Sequence, residues 1–191
     1  MPPRGPGAAL QMTRVEGFTA RLPQDGLPLS EKTEAYIGYD DSAIHAVFVC
    51  FDRNPGLVAA HLSSRDRIAG ADDSVAFQID TFRDLAHAYG FQVNPLGVQT
   101  DGIYTEGKGW DLSFDTVWKS EGQRTDEGYV VMVSIPFKSL RFPAGESKTF
   151  GLFLYRGIPR TNEEAFWPEY TQRISGLSLI HILTLPTIYS V

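Results

Sequence analysis

From Thr13 to Gly176 the chain alternates short stretches in which every second residue is apolar with clusters of turn formers. The clearest stretch begins at Asp72. Val75, Phe77 and Ile79 fall on one side of an extended chain, and Ala76, Gln78 and Asp80 fall on the other. Tyr89, Phe91 and Val93 repeat the pattern until Asn94-Pro95-Leu96-Gly97 breaks it, and a third strand leads on to Asp101. Thr33 to Tyr39 and Ile44 to Phe51 predict two more strands. They are joined by Asp40-Asp41-Ser42, whose short polar side chains cap a tight turn. Ile44 to Phe51 is apolar on both sides, which predicts a central strand. After the breakers Asn54-Pro55-Gly56, Val58 to Leu62 predicts a short strand. Thr116 to Ser120 and Tyr129 to Ile135 predict a hairpin connected through Glu121 to Gly128. Pro136 to Pro143 predicts one helical turn that lays Phe137, Leu140 and Phe142 over an end of the core. In the strand Phe150 to Arg156, Leu152 and Leu154 face opposite to Phe153 and Tyr155.

No stretch of helical length carries an apolar residue every third or fourth position, and no internal repeat is visible. The pattern therefore predicts an all-β domain, a two-sheet antiparallel β-sandwich of jelly-roll-like type with about nine strands. That unit covers residues 13–176. Residues 1–12 are rich in proline and glycine and read as a disordered or misassigned leader. Residues 177–191 contain no Asp, Glu, Lys or Arg. Leu177 to Thr187 resembles the conceptual translation of a transposon-type sequencing adapter, which predicts an artefactual tail; a genuine final strand is the alternative.

The 191 residues suffice for one domain with a proper core. The 17 basic against 23 acidic side chains give a net charge of -6, which argues against a nucleic-acid partner and against a polybasic membrane contact. Cys50 is the sole cysteine, so the chain can form no internal disulfide and no thiol metal cluster; within Val47 to Phe51 it reads as a buried spectator. No secretory pattern follows Met1, and no segment has the apolar length of a membrane-spanning helix.

Two strings resemble the carbohydrate-binding family 9-like domain. They are Asp72-Asp-x-Val-x-Phe-x-Ile-Asp-Thr-Phe82 and Phe91-x-Val-Asn-Pro-Leu-Gly-Val-Gln99. Arg156-x-Ile-Pro-Arg160-x-Asn-Glu-Glu164, ahead of Trp167, resembles a stretch of the same family. The resemblance spans most of residues 15–175. It implies a non-catalytic carbohydrate-binding module of a larger bacterial extracytoplasmic protein, in the periplasm, in the outer membrane or secreted, with a polysaccharide or oligosaccharide as partner. Two alternatives share the same strings. One is a periplasmic or surface interaction domain that continues into an outer-membrane β-barrel and binds no sugar. The other is a domain appended to a glycoside hydrolase.

Sugar binding uses aromatic faces to cover the C–H side of a pyranose, with amides and carboxylates reaching its hydroxyls. Trp110, in the glycine-flanked Glu106 to Asp111, and Trp167, in Asn162 to Pro168, are the candidate pair, since the resemblance implies two aromatics around the sugar. Trp118 is a further candidate, with packing at the start of a strand the stronger alternative. Asp72, Asp73 and Asp80 are candidate calcium ligands, because calcium takes carboxylates from flexible loops; solvated turns explain them equally. Arg156 and Arg160 are expected to pair with Asp80 or Glu163. His45, His61 and His87 are isolated, and no phosphate loop or dinucleotide fingerprint occurs, so no enzymatic activity is expected.

Overall fold

The computed structural model describes residues 11–144 and 148–170, together with the backbone of residues 181–185. In chain order its strands are β1 (Thr13–Val15), β2 (Thr19–Leu22), β3 (Leu27–Pro28), β4 (Thr33–Tyr39), β5 (Ala43–Phe51), β6 (Ser74–Asp80), β7 (His87–Val93), β8 (Gln99–Thr105), β9 (Gly109–Asp111), β10 (Lys119–Thr125), β11 (Gly128–Pro136), β12 (Lys148–Ile158), β13 (Glu163–Trp167) and β14 (His181–Leu185). They form two sheets, and every pairing is antiparallel. The smaller runs β1-β4-β5-β11-β10. The larger runs β3-β2-β13-β12-β6-β7-β8-β9, with β14 beside the first half of β12 and β13 beside the second. The leader expected over residues 1–12 lies outside the described residues except for Gln11 and Met12. The tail expected from 177 lies outside them except for the backbone of His181–Leu185, which pairs with Lys148–Leu152.

The alternation in the sequence becomes the sandwich core. Val75, Phe77 and Ile79 of β6 are buried with Phe91 and Val93 of β7 and Leu152 and Leu154 of β12. The smaller sheet meets them with Ile37, Phe48, Val131 and Ile135. Cys50 is buried in the same layer, and burial pushes its thiol up. The Asp40 carboxylate accepts the N–H groups of Ser42 and Ala43 at 2.7 and 2.9 Å, closing the β4–β5 hairpin. Phe137–Ser139 forms the expected single turn, with Phe137 and Leu140 buried.

Two expectations differ. Val58 to Leu62 is no strand, because side chains take over its backbone bonds. Ala59 N–H donates to Asp73 at 2.9 Å and His61 N–H to Asp72 at 3.1 Å, so the segment needs no ladder partner. Glu121 to Thr125, read as a connection, belongs to β10. Its polarity is that of an exposed sheet edge, and the turn shrinks to Thr125–Gly128. The added strands β1, β2, β3 and β9 have two to four residues, too few for a two-residue alternation to register.

A buried charge cluster locks one end of the sandwich. The Arg156 guanidinium is fully buried, 3.3 Å from an Asp73 oxygen and 4.5 Å above the Tyr129 ring centroid. Arg160 donates to Asp52 at 2.6 Å and reaches Glu31 at 3.3 Å, and Glu31 also meets Arg53 at 3.3 Å. The expected partners Asp80 and Glu163 are occupied elsewhere. Asp80 accepts the N–H groups of Phe82, Arg83 and Leu85 at 3.0, 2.6 and 3.0 Å, and Glu163 accepts from Ser30 and Thr161.

Removing one member of a buried ion pair strands the other charge. Asp73→Ala is therefore expected to lower stability by about 3–5 kcal/mol in urea unfolding, and Asp73→Ala with Arg156→Met to recover part of that loss. Acid sensitivity arises at Glu34. Hydrogen bonds from Lys32, Arg14 and Tyr36, at 2.6, 2.6 and 2.7 Å, hold the Glu34 carboxyl at about 2, against 4.5 when unperturbed. The folded value is the lower one, so this contribution is present above about pH 4.5 and is lost as pH falls toward 2. Urea midpoints measured across that window should fall more steeply for the wild type than for Glu34→Gln.

Candidate functional site

The core-facing residues of the larger sheet leave the alternate residues on its outer face, and there the structure forms a trough of about 500 Å³. Its floor lies on β6, β7 and β8 and is built from small or amide side chains: Ala76 and Gln78, Gly90 and Gln92, Thr100 and Gly102. One bank rises from Tyr104 and Trp110 on β8 and β9, with ring centroids 5.5 Å apart in an edge-to-face arrangement. The opposite bank is Phe153 and Tyr155 on β12, Phe166 on β13, and Tyr170 beyond it. Phe166 touches Phe153, Tyr155 and Tyr170 with centroids 5.0, 5.2 and 5.1 Å apart. The loop before β6 contributes Asp66 and Ile68.

Glycines inside strands explain how both banks recline on the sheet. A Cβ at Gly90 would collide with the six-membered ring of Trp110, and one at Gly157 would collide with the Tyr155 hydroxyl. At Gly102 a Cβ would stand 3.0 Å from Leu112 and 3.4 Å from the Trp110 ring.

The trough presents neutral groups that can donate and accept hydrogen bonds. Gln92 donates to Ser74 Oγ at 2.9 Å, which fixes its amide and leaves the carbonyl oxygen as an acceptor. Thr100 is buried, and its hydroxyl has no partner among the described residues. Burial, reinforced by the charge of Glu164, pushes the Tyr155 phenol up to about 12, so it remains a neutral O–H donor. Burial and Glu106 likewise raise Tyr104.

The three tryptophans part company. Trp110 lines the trough with 44% of its surface exposed. Trp118 is 4% exposed in the core, edge-on to Phe91 at 5.1 Å, so neither of its faces is open to a ligand. Trp167 stands at the end of β13 on the side opposite to Phe166, half-buried against the core, and so does not join Trp110. The second bank is supplied instead by Tyr155, Phe166 and Tyr170. For Tyr155 the sequence carried a signal: an outward-facing aromatic on β12, with Gly157 where a strand interior would otherwise avoid it.

The candidate calcium ligands are not brought together. Asp72 is held by His61 Nδ1 at 2.6 Å and by the Asn94 amide at 3.0 Å, Asp73 by Arg156 and Ala59, and Asp80 caps a loop at the far end of β6. Among the described residues no three His, Cys, Asp or Glu side chains form a group that could hold a metal ion.

No family model and no curated protein matches this chain. Among solved structures, a Bacteroides uniformis protein to which carbohydrate binding has been ascribed is similar over 92% of this chain and 86% of its own, with a TM-score of 0.67 and 15% identity. A family 9 carbohydrate-binding module from Caldicellulosiruptor kristjanssonii, solved with cellotriose, covers 79% of this chain and 71% of its own, with a TM-score of 0.48 and 15% identity. The first likeness shows a shared β-sandwich fold.

Gly90→Val is expected to lift Trp110 off the floor while leaving the core intact. In the Trp118→Phe/Trp167→Phe background, where Trp110 is the remaining tryptophan, its emission should shift and iodide quenching should increase. An unchanged quenching constant would contradict the packing described here.

Proposed function

We propose that this domain is a non-catalytic carbohydrate-binding module that holds a polysaccharide or oligosaccharide across the outer face of its larger sheet. The observation that carries this reading is the two facing aromatic banks over a floor of glycine, alanine and amides. Tyr155 on β12 and the Gly90 beneath Trp110 on β7 lie two strands apart, about 10 Å between backbones, a width that suits one sugar ring between the aromatic edges. Aromatic surface would cover the C–H faces, while Gln78, Gln92, Thr100 and Tyr155 meet hydroxyls. The name of the Bacteroides uniformis protein that shares the fold agrees with the reading.

A binding role is favoured over hydrolysis because the carboxylates of the trough are already engaged. Asp101 is buried and accepts from Arg65 at 2.6 Å and from Thr116 N–H at 2.9 Å. Glu164 is paired with Arg21 at 3.3 Å. A glycosidase needs one carboxyl kept protonated opposite a second across the scissile bond. The family resemblance extends the reading to a module of a larger extracytoplasmic protein.

Affinity electrophoresis against a panel of soluble polysaccharides tests the site. Trp110→Ala should weaken retention by about tenfold or more, the loss typical of an aromatic anchor, with the urea midpoint nearly unchanged. Trp118→Ala should instead lose about 3–5 kcal/mol of stability as a core truncation. Trp167→Ala should lose stability while its folded fraction keeps its retention. Unaltered retention in folded Trp110→Ala would remove the trough as the binding site.

A further inference from the structure

We infer that Glu164 sets the charge selectivity of the trough, holding Arg21 so that the trough takes uncharged glycans and excludes those bearing uronates. This rests on the carbohydrate-binding reading above and adds the class of sugar.

Among the described residues, Arg21 is the cationic side chain that lines the trough. Its guanidinium lies at the aromatic bank, 5.2 Å from the Tyr170 centroid, where a sugar carboxylate would find it. Glu164 already occupies that position. Its Oε2 is 3.3 Å from Arg21 Nη1, with both side chains about a third exposed at 33% and 37%. The opposite end carries more negative charge. Asp66 and Asp101 line the trough there, and Arg65 is shared among Asp101 at 2.6 Å, Asp115 at 2.9 Å and Asp66 at 3.8 Å. Among the described residues that line the trough, one guanidinium, Arg21, thus stands with three carboxylates, Asp66, Asp101 and Glu164.

An incoming uronate would compete with Glu164 for Arg21 and would meet the excess of carboxylates at the opposite end. Like charges in the trough oppose the entry of an anion. An uncharged sugar meets neither obstacle and still finds the amides of Gln78 and Gln92 and the hydroxyls of Thr100 and Tyr155. The selectivity therefore comes from a repulsive element built beside an attractive one.

The experiment is affinity electrophoresis of the full chain in gels containing arabinoxylan, mixed-linkage β-glucan or polygalacturonate, at low and high salt. The wild type should be retarded by an uncharged polymer and not by polygalacturonate. Glu164→Gln should raise the ratio of polygalacturonate to uncharged-polymer affinity by about tenfold at low salt, as expected for removing one partly exposed charge, and salt should erase the gain. Arg21→Met in the Glu164→Gln background should abolish the gain as well. Wild-type affinity for polygalacturonate equal to or above that for the uncharged polymers overturns the inference alone, as does an unchanged ratio in folded Glu164→Gln. A folded wild type that none of the three polymers retards overturns the carbohydrate-binding reading and this inference with it.

Discussion

The ion pair between Arg156 and Asp73 is the constraint on which the rest of the larger sheet depends. Arg156 sits on β12, the strand that joins the two halves of that sheet, and its guanidinium points into the sandwich, shut off from bulk solvent. Asp73 answers it from the residue just before β6, so the two strands cannot slip in register without separating two buried charges. The same carboxylate holds Ala59, and its neighbour Asp72 holds His61 and Asn94. One pair of adjacent acids therefore fixes both ends of the loop between them and His61. That loop carries Asp66 and Ile68 to the trough. Core electrostatics and site geometry are parts of one arrangement.

With the inner face committed to the core, the outer face of the sheet is free to carry chemistry. Its aromatics differ from core aromatics in what lies beneath them. Phe91 and Trp118 meet edge to face inside the sandwich, whereas Trp110 and Tyr155 recline on Gly90 and Gly157. A glycine in a strand gives up packing and adds chain entropy to the unfolded state. Here the loss is offset by the ring that covers it. The reclining rings and the recess between the banks follow from the same substitutions of hydrogen for side chain.

The period-two pattern made the central strands legible from sequence: β4, β5, β6, β7 and most of β11 and β12 lie where alternation placed them. It failed where the alternation had a competitor or too few residues. Val58 to Leu62 alternates enough to suggest a strand, yet side-chain carboxylates satisfy its N–H groups, a contact that only the fold reveals. Glu121 to Thr125 looked like a connection because an exposed edge needs no apolar residues. Of the two tryptophans expected to act as a pair, Trp110 lines the trough and Trp167 does not, because Trp167 and Phe166 are adjacent residues on opposite faces and composition cannot say which one faces out. The acids near Asp72 suggested metal ligands for the same reason that they serve as caps: a carboxylate with several lone pairs satisfies backbone donors as readily as a cation.

The positions of the trough residues within the family-like strings explain why those strings identify the fold better than the ligand. In Asp72-Asp-x-Val-x-Phe-x-Ile the named residues cap a loop or enter the core, while the unspecified positions are Ser74, Ala76 and Gln78, and the last two are floor. In Phe91-x-Val93 the unspecified residue is Gln92, again floor. In Arg156-x-Ile158 it is Gly157, the residue over which Tyr155 lies. A strand alternates its faces, so within the strands a motif that records the buried face skips the exposed one. The fold can therefore persist while the outward residues change, and what the outer face of such a domain can hold follows from those residues: here Trp110, Tyr155, two glutamines, and an arginine already held by a glutamate.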